Sequence, residues 1–459
     1  MKKKLIFAAA AIAMLASCSQ NDLEAPVVGQ AQQSDAIEFG TYLGKAATSR
    51  AGATGDIVDR AADGNKLGDT GYEFGVYATH HVTTKYNALT DRTPNFMWNE
   101  KVYFQASDWK YDNIKYWPNG KASGTGNADD ESATSTSANY LSFFAYAPYV
   151  TAGSGTEGIT NISANNSVQN PKISYTIAAD PANFVDLLWG TAGTNGTDVA
   201  GGAQAGANIT TDVNTTPDPD EVETVTGSPN INVNADLTKQ KVAGKVDFAF
   251  KHALSKIGGQ GGIKVVVDTD NGTNETGGTF NNATTKVLIS NITISNNGDD
   301  MAKSGTLDLA TGKWTTTANG LTFSEVIDGE DIVEGIRDVA SVTGWASVSG
   351  KAGVPTGTST DVYAASKGNS IAFIPGTTPK LNVSITYRVC TKDDNLALGC
   401  TNVVQTISKT IDFPTNDMNK KYTLIIHLGL TGVKFTATVA DWATDGSANQ
   451  NINLPINVQ

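Results

Sequence analysis

The 459-residue chain holds three Cys and four His, which leaves little side-chain material for a zinc or thiol enzyme. Cys390 and Cys400 flank Thr391-Lys-Asp-Asp-Asn-Leu-Ala-Leu-Gly399. Facing each other in a hairpin of an exported protein, they would close this loop as a disulfide; otherwise they are two reduced thiols. That pairing sets Tyr387 opposite Val403 and Val383 opposite Ile407. Tyr111-Asp-Asn-Ile-Lys115 has a spacing at which, on a helix, a Lys lowers the pKa of a phenol, but its surroundings are strand-like. Gly258-Gly-Gln-Gly-Gly-Ile-Lys264 lacks the Ser or Thr and the following helix of a phosphate cradle. In Asp268-Thr-Asp-Asn-Gly-Thr-Asn-Glu275 the Gly falls one position early for a calcium loop, and Asn271-Gly272 reads as a hairpin turn. His80-His81 reads as a polar strand end and His252 as a hydrogen-bonded core residue. No catalytic residue, cofactor or metal site is expected.

The elements that would position such residues are strands. From Ala36 onward apolar residues alternate with period two over short runs bounded by Gly, Asn, Asp and Pro. Val246, Phe248, Phe250, His252 and Leu254 form one such row; Leu381, Val383, Ile385, Tyr387 and Val389 form another, and Val433, Phe435, Ala437 and Val439 a third. Thr306 to Trp314 reads as a hairpin around Thr311-Gly312. Two polar, Gly-rich stretches, 121–138 and 191–229, read as long loops, and a domain boundary is expected near residue 238, giving units 36–238 and 239–459. Strands this short between frequent turns predict an all-β fold of packed sandwiches. The aromatic segments 96–118 and 140–149 leave two readings, core packing or a sugar-stacking platform. With 33 basic against 46 acidic residues and a net charge of -13, nucleic acid is not an expected partner.

Met1-Lys-Lys-Lys and the apolar run Leu5 to Leu15 have the form of a signal peptide, too short to span a bilayer. The following Leu15-Ala-Ser-Cys18 resembles the lipobox of bacterial lipoproteins. That resemblance implies a signal peptide over 1–17, signal peptidase II cleavage between Ser17 and Cys18, and a lipid on Cys18 that anchors the chain to the outer membrane. Asp22 and Glu24 resemble acidic tags that accompany surface export of lipoproteins. Residues 18–35 read as a flexible tether.

Several segments together resemble the fimbrillin family, the subunits of type V pili. They are the lipobox, Ala36-Ile-Glu-Phe39 leading to Ser49-Arg-Ala51, Trp109 to Pro118, Tyr140 to Pro148, Phe184-Val-Asp-Leu-Leu-Trp-Gly190, Phe250 to Lys256, Phe373-Ile-Pro-Gly376 and Val439-Ala-Asp-Trp442. The resemblance implies two tandem transthyretin-like Greek-key β-sandwiches. It also implies cleavage after an Arg before polymerisation, here between Arg50 and Ala51, with Arg60 as the alternative.

Ile37, Phe39, Thr41 and Leu43 alternate as a first strand that such cleavage would release, leaving an apolar groove that another chain must fill. Ile452, Leu454, Ile456 and Val458 alternate in a terminal strand, 451–459, suited to donate to a neighbouring subunit. Against this, Pro455 lacks an amide hydrogen and would break a ladder flanked on both sides, which suits pairing within its own domain at an edge. The expected partners are other fimbrial subunits and host or bacterial surface ligands. The expected location is a lipid-anchored precursor, then the cell surface or fimbrium. The alternative is a monomeric surface lipoprotein that binds glycans or host proteins.

Overall fold

The alternation in the sequence becomes alternation in burial. Along Lys245–His252, Val246, Phe248, Phe250 and His252 are buried while Lys245 and Lys251 are exposed. The computed structural model describes residues 36–43, 57–58, 65–81, 86, 93–118, 139–151, 156–167, 170–192, 234–237, 239, 242, 244–258, 262–270, 274, 276–281, 283–296, 301–328, 345, 360–361, 370–376, 380–412, 417–430 and 432–441. Over these the regular elements are strands, apart from a short 3₁₀ turn at Pro181–Asn183 and a single helical residue, Trp345.

The largest sheet runs Glu38–Tyr42, Lys245–His252, Leu188–Ala192, Tyr140–Ala147, Phe74–His81, Met97–Gln105, Asp108–Lys110, with Asn234–Leu237 also paired to Tyr140–Ala147. Its central strands are buried on both faces, which is why Tyr140-Leu-Ser-Phe-Phe-Ala-Tyr-Ala147 is almost continuously apolar. Leu141, Phe143, Ala145 and Ala147 face one core with Phe74, Val76 and Ala78. Phe144 and Tyr146 face the other core, with Tyr77. That second core extends through the later sheets as far as Tyr422, Leu424 and Phe435.

The strand Lys245–His252 lies beyond the boundary expected near residue 238, yet it completes the first sheet, and the change to another sheet follows at Ser255–Gly258. A further sheet joins early and late segments, placing Lys172–Thr176 beside Ala302–Asp308. The hairpin expected at Thr311-Gly312 is present between Ala302–Asp308 and Trp314–Asn319, with Gly312 at φ 67°, where a side chain would be strained. Thr191 and Ala192 end a strand rather than open a loop. The rest of 191–229, and all of 121–138, lie outside the described residues.

The long hairpin Lys380–Thr391 and Val403–Asp412 corrects the expected register by two residues. Val389, not Tyr387, faces Val403, and Ile385, not Val383, faces Ile407. The reason is the turn: the last bridge joins Lys392 to Cys400, so Cys390 and Cys400 are not directly opposite. Because the slip is even, each side chain keeps the face that its alternation assigned.

Candidate functional site

The first strand, Glu38–Tyr42, lies at one end of the largest sheet and pairs in parallel with Lys245–His252, Phe39 beside Val246 and Thr41 beside Phe248. Its period of two sends Ile37, Phe39 and Leu43 inward, where each is at least 96% buried. The ring of Phe39 lies 5.2 Å from that of Tyr111, 6.0 Å from Phe248, 6.2 Å from Phe143 and 6.4 Å from Phe74. Edge-on contacts dominate, the arrangement that aromatic quadrupoles favour. The two aromatic segments therefore supply core: Tyr111, Trp117 and Phe143 line the groove that the first strand covers.

The strand's entrance is pinned by main-chain and side-chain bonds. Ile37 N donates to Lys115 O at 2.9 Å and Glu38 N to Gly244 O at 3.2 Å. The Tyr111 hydroxyl donates to Ile37 O at 2.9 Å, and Trp117 Nε1 to Gly244 O at 2.9 Å. Burial pushes the Tyr111 phenol upward, which keeps it a neutral donor. Gly40 lies under the Lys245–Asp247 ion pair (3.4 Å), and a Cβ there would fall 1.9 Å from Asp247 Oδ1. Glycine at this position lets the pair close over the strand.

A buried, hydrogen-bonded histidine–aspartate pair lies at the far end of the partner strand. His252 Nδ1 is 2.9 Å from Asp186 Oδ2 and 3.1 Å from Oδ1, and Asp186 Oδ2 also accepts from Ile57 N at 2.9 Å. The side chains of His252 and Asp186 are 5% and 0% exposed. His252 is thus the hydrogen-bonded core residue that the sequence suggested. Its partner, in the segment Phe184 to Gly190, carried no signal in the sequence, because the two meet only through pairing of distant strands.

Glu73, buried at the start of Phe74–His81, bonds Lys101 Nζ at 2.8 Å and accepts from Gly71 N at 2.9 Å. Burial raises the Glu73 carboxyl, but the Lys101 bond and the amides of Glu73 and Gly71 outweigh it, and the pKa is lowered. A lowered carboxyl pKa contributes stability above the unfolded value, about 4.3, and loses it as pH falls through the lower folded one. Lys101→Met is therefore expected to cost under about 1 kcal/mol at neutral pH, since Lys101 is half exposed. The cost should fade in acid; urea titrations at pH 7 and pH 3 check both parts.

The structure brings Ile37, Phe39 and Leu43 together at this groove and places Cys390 and Cys400 at the hairpin of the later sheet. Ser17, Cys18, Arg50, Ala51, Arg60, Ile452, Leu454, Ile456 and Val458 lie outside the described residues. Among the described residues, no group of three or more His, Cys, Asp or Glu side chains could hold a metal ion.

Fold and groove define a class: an all-β protein whose first strand closes an aromatic groove from the edge of a sheet. No family model matches the chain. The fimbrium subunit Fim1C of Phocaeicola vulgatus is 22% identical to it over 394 residues, 83% of this chain and 84% of that protein. The crystal structure of a fimbrial protein from Bacteroides vulgatus superposes with a TM-score of 0.50 at 19% identity, covering 89% of this chain and 99% of the other. The chain is thus similar to a fimbrium subunit over most of its length, in line with the resemblance in its sequence. Both proteins are named as fimbrial, neither as an enzyme.

Proposed function

We propose that the protein is a fimbrial subunit, exported as a lipoprotein through Cys18 and assembled by strand exchange, with adhesion as its role. One observation carries this reading: the first strand covers a groove of Phe74, Tyr111, Phe143 and Phe248 from the end of the sheet, and among the described residues its ladder runs along one side, with Lys245–His252. Release of this strand would bare a row of backbone groups on Lys245–His252 together with an aromatic trough, a surface that another extended chain can fill. The donor in this reading is the terminal segment with Ile452, Leu454, Ile456 and Val458, and Pro455 fits it only where one side of the donor stays unpaired. The same reading keeps two tandem sandwiches, with Lys245–His252 carried by the first.

Arg50 suits the maturation cut better than Arg60. Ile57 is 2% exposed and gives its amide to buried Asp186. A cut after Arg50 spares that tie, whereas a cut after Arg60 would detach Ile57 and leave a buried carboxylate with one fewer donor. The test is to take the protein from its native cell surface, determine its N-terminus by mass spectrometry, and run it unboiled on a gel. A start at Ala51 with a ladder of stable oligomers is expected. A lipidated start at Cys18 with a single monomer band would overturn the stalk reading and favour an anchored receptor.

A further inference from the structure

The hairpin Lys380–Thr391 and Val403–Asp412 ends in a tip, 393–399, closed by main-chain bonds from Asp393 N to Gly399 O (2.9 Å) and from Leu396 N to Asp393 O (3.1 Å). Just below it, Thr401 N donates to Thr391 O at 2.8 Å and Thr391 N to Thr401 Oγ1 at 2.9 Å. Lys392 bridges Cys400, and Val389 faces Val403. Continuous register between them sets Cys390 opposite Asn402, so Cys390 and Cys400 are diagonal neighbours on one face of the hairpin. Their thiols lie close enough to influence each other and are unbonded in this structure. Both residues are at least 96% buried. Above them the tip presents Leu396 and Leu398 at 43% and 48% exposure, while Trp345 N donates to Leu398 O at 2.9 Å.

We propose that Cys390 and Cys400 form a disulfide in the exported protein, a staple that fixes the base of the tip and holds Leu396 and Leu398 outward. The proposal rests on the export reading, because thiols kept in a reducing compartment stay reduced. The chemistry is exchange with an exogenous disulfide, such as oxidised glutathione or a protein disulfide oxidant. The thiolate of one cysteine attacks a sulfur of the oxidant and expels its first thiolate, leaving a mixed disulfide. The second cysteine's thiolate then attacks the chain's own sulfur in that bond and expels the oxidant's second thiolate. The two cysteines give up two protons and two electrons, and the oxidant's disulfide becomes two thiols.

Burial, with Cys400 close by, pushes the Cys390 thiol up to about 11, and with both thiols at least 96% buried an exogenous disulfide has little access to either in the folded protein. The bond therefore has to form while the chain is folding, before this face is covered, and is sheltered from reductants afterwards.

Trypsin, which cuts after Lys and Arg, separates the two cysteines into peptides 389–392 and 393–409. Protein from the native surface, denatured and alkylated without reductant, is expected to yield these two peptides linked to each other and unlabelled. A second sample is reduced, denatured and refolded in a glutathione redox buffer, and the same linkage is expected. Separate peptides each carrying the alkyl group in both samples would overturn the geometric argument and leave the export reading standing. Linkage only after refolding would overturn the proposal, since the thiols then stay reduced at the native surface, and would leave the export reading standing.

Discussion

Phe39→Ala in the full-length chain is expected to lower the free energy of unfolding by about 3–5 kcal/mol, measured by urea denaturation. Four aromatic rings converge on Phe39 from three other strands and one loop, and the residue is 3% exposed. Truncation removes the transfer energy of the ring and leaves a cavity whose walls, the backbone of Lys245–His252 and the rings of Phe74 and Phe143, cannot all collapse inward. Glu38→Ala, one residue away on the exposed side of the same strand, should stay within about 0.5 kcal/mol. A loss below about 1 kcal/mol for Phe39→Ala would mean that the strand is not seated as described. If the first strand is the one exchanged, the same variant should also form oligomers faster, because its own strand competes less well for the groove.

Asp186→Ala is expected to cost a comparable amount, about 3–5 kcal/mol, because it leaves His252 buried without its carboxylate. It also orphans the amide of Ile57, which adds the cost of an unsatisfied buried donor. Asp186→Asn keeps an oxygen for Ile57 and should cost less. Combining Asp186→Ala with His252→Leu should recover part of the loss, since removing both members of a buried pair is milder than removing one. Strict additivity of the two substitutions in a double-mutant cycle would show that they do not act as a pair.

The strands were readable because burial here follows period two over runs long enough to count. Val246 to His252 and Leu381 to Tyr387 are buried on the faces that their spacing assigned. The first strand was readable for the same reason, and Ile37, Phe39 and Leu43 mark it without reference to anything they touch. Partner and direction were not readable. Nothing in Ala36-Ile-Glu-Phe39 indicates that its neighbour is Lys245–His252 or that the two run parallel, since alternation is a property of one strand and pairing a property of two. The register of the Cys390 hairpin failed by two residues for a related reason. A facing pair of cysteines was the simplest closure, whereas the actual closure is decided by the bonds of the tip, between Asp393, Leu396 and Gly399. The pair of Asp186 and His252 was half visible: the histidine's place on an apolar row could be read, but its counterpart could not, because a lone Asp in Phe184 to Gly190 looks like any strand-entry polar residue.

The parallel ladder between Glu38–Tyr42 and Lys245–His252 also sets the order in which the chain can fold. A strand near the start of the chain whose ladder partner, among the described residues, begins at Lys245 cannot complete that ladder until the later segment has emerged. Closing so long a loop is slow compared with forming the local hairpins. The groove is thus built first and covered late, and every newly made copy passes through a state in which it stands open. During that interval the chain's own strand wins the site by being tethered nearby, at an effective concentration that free segments of other copies cannot match. Severing the tether removes this advantage without altering a single contact in the groove.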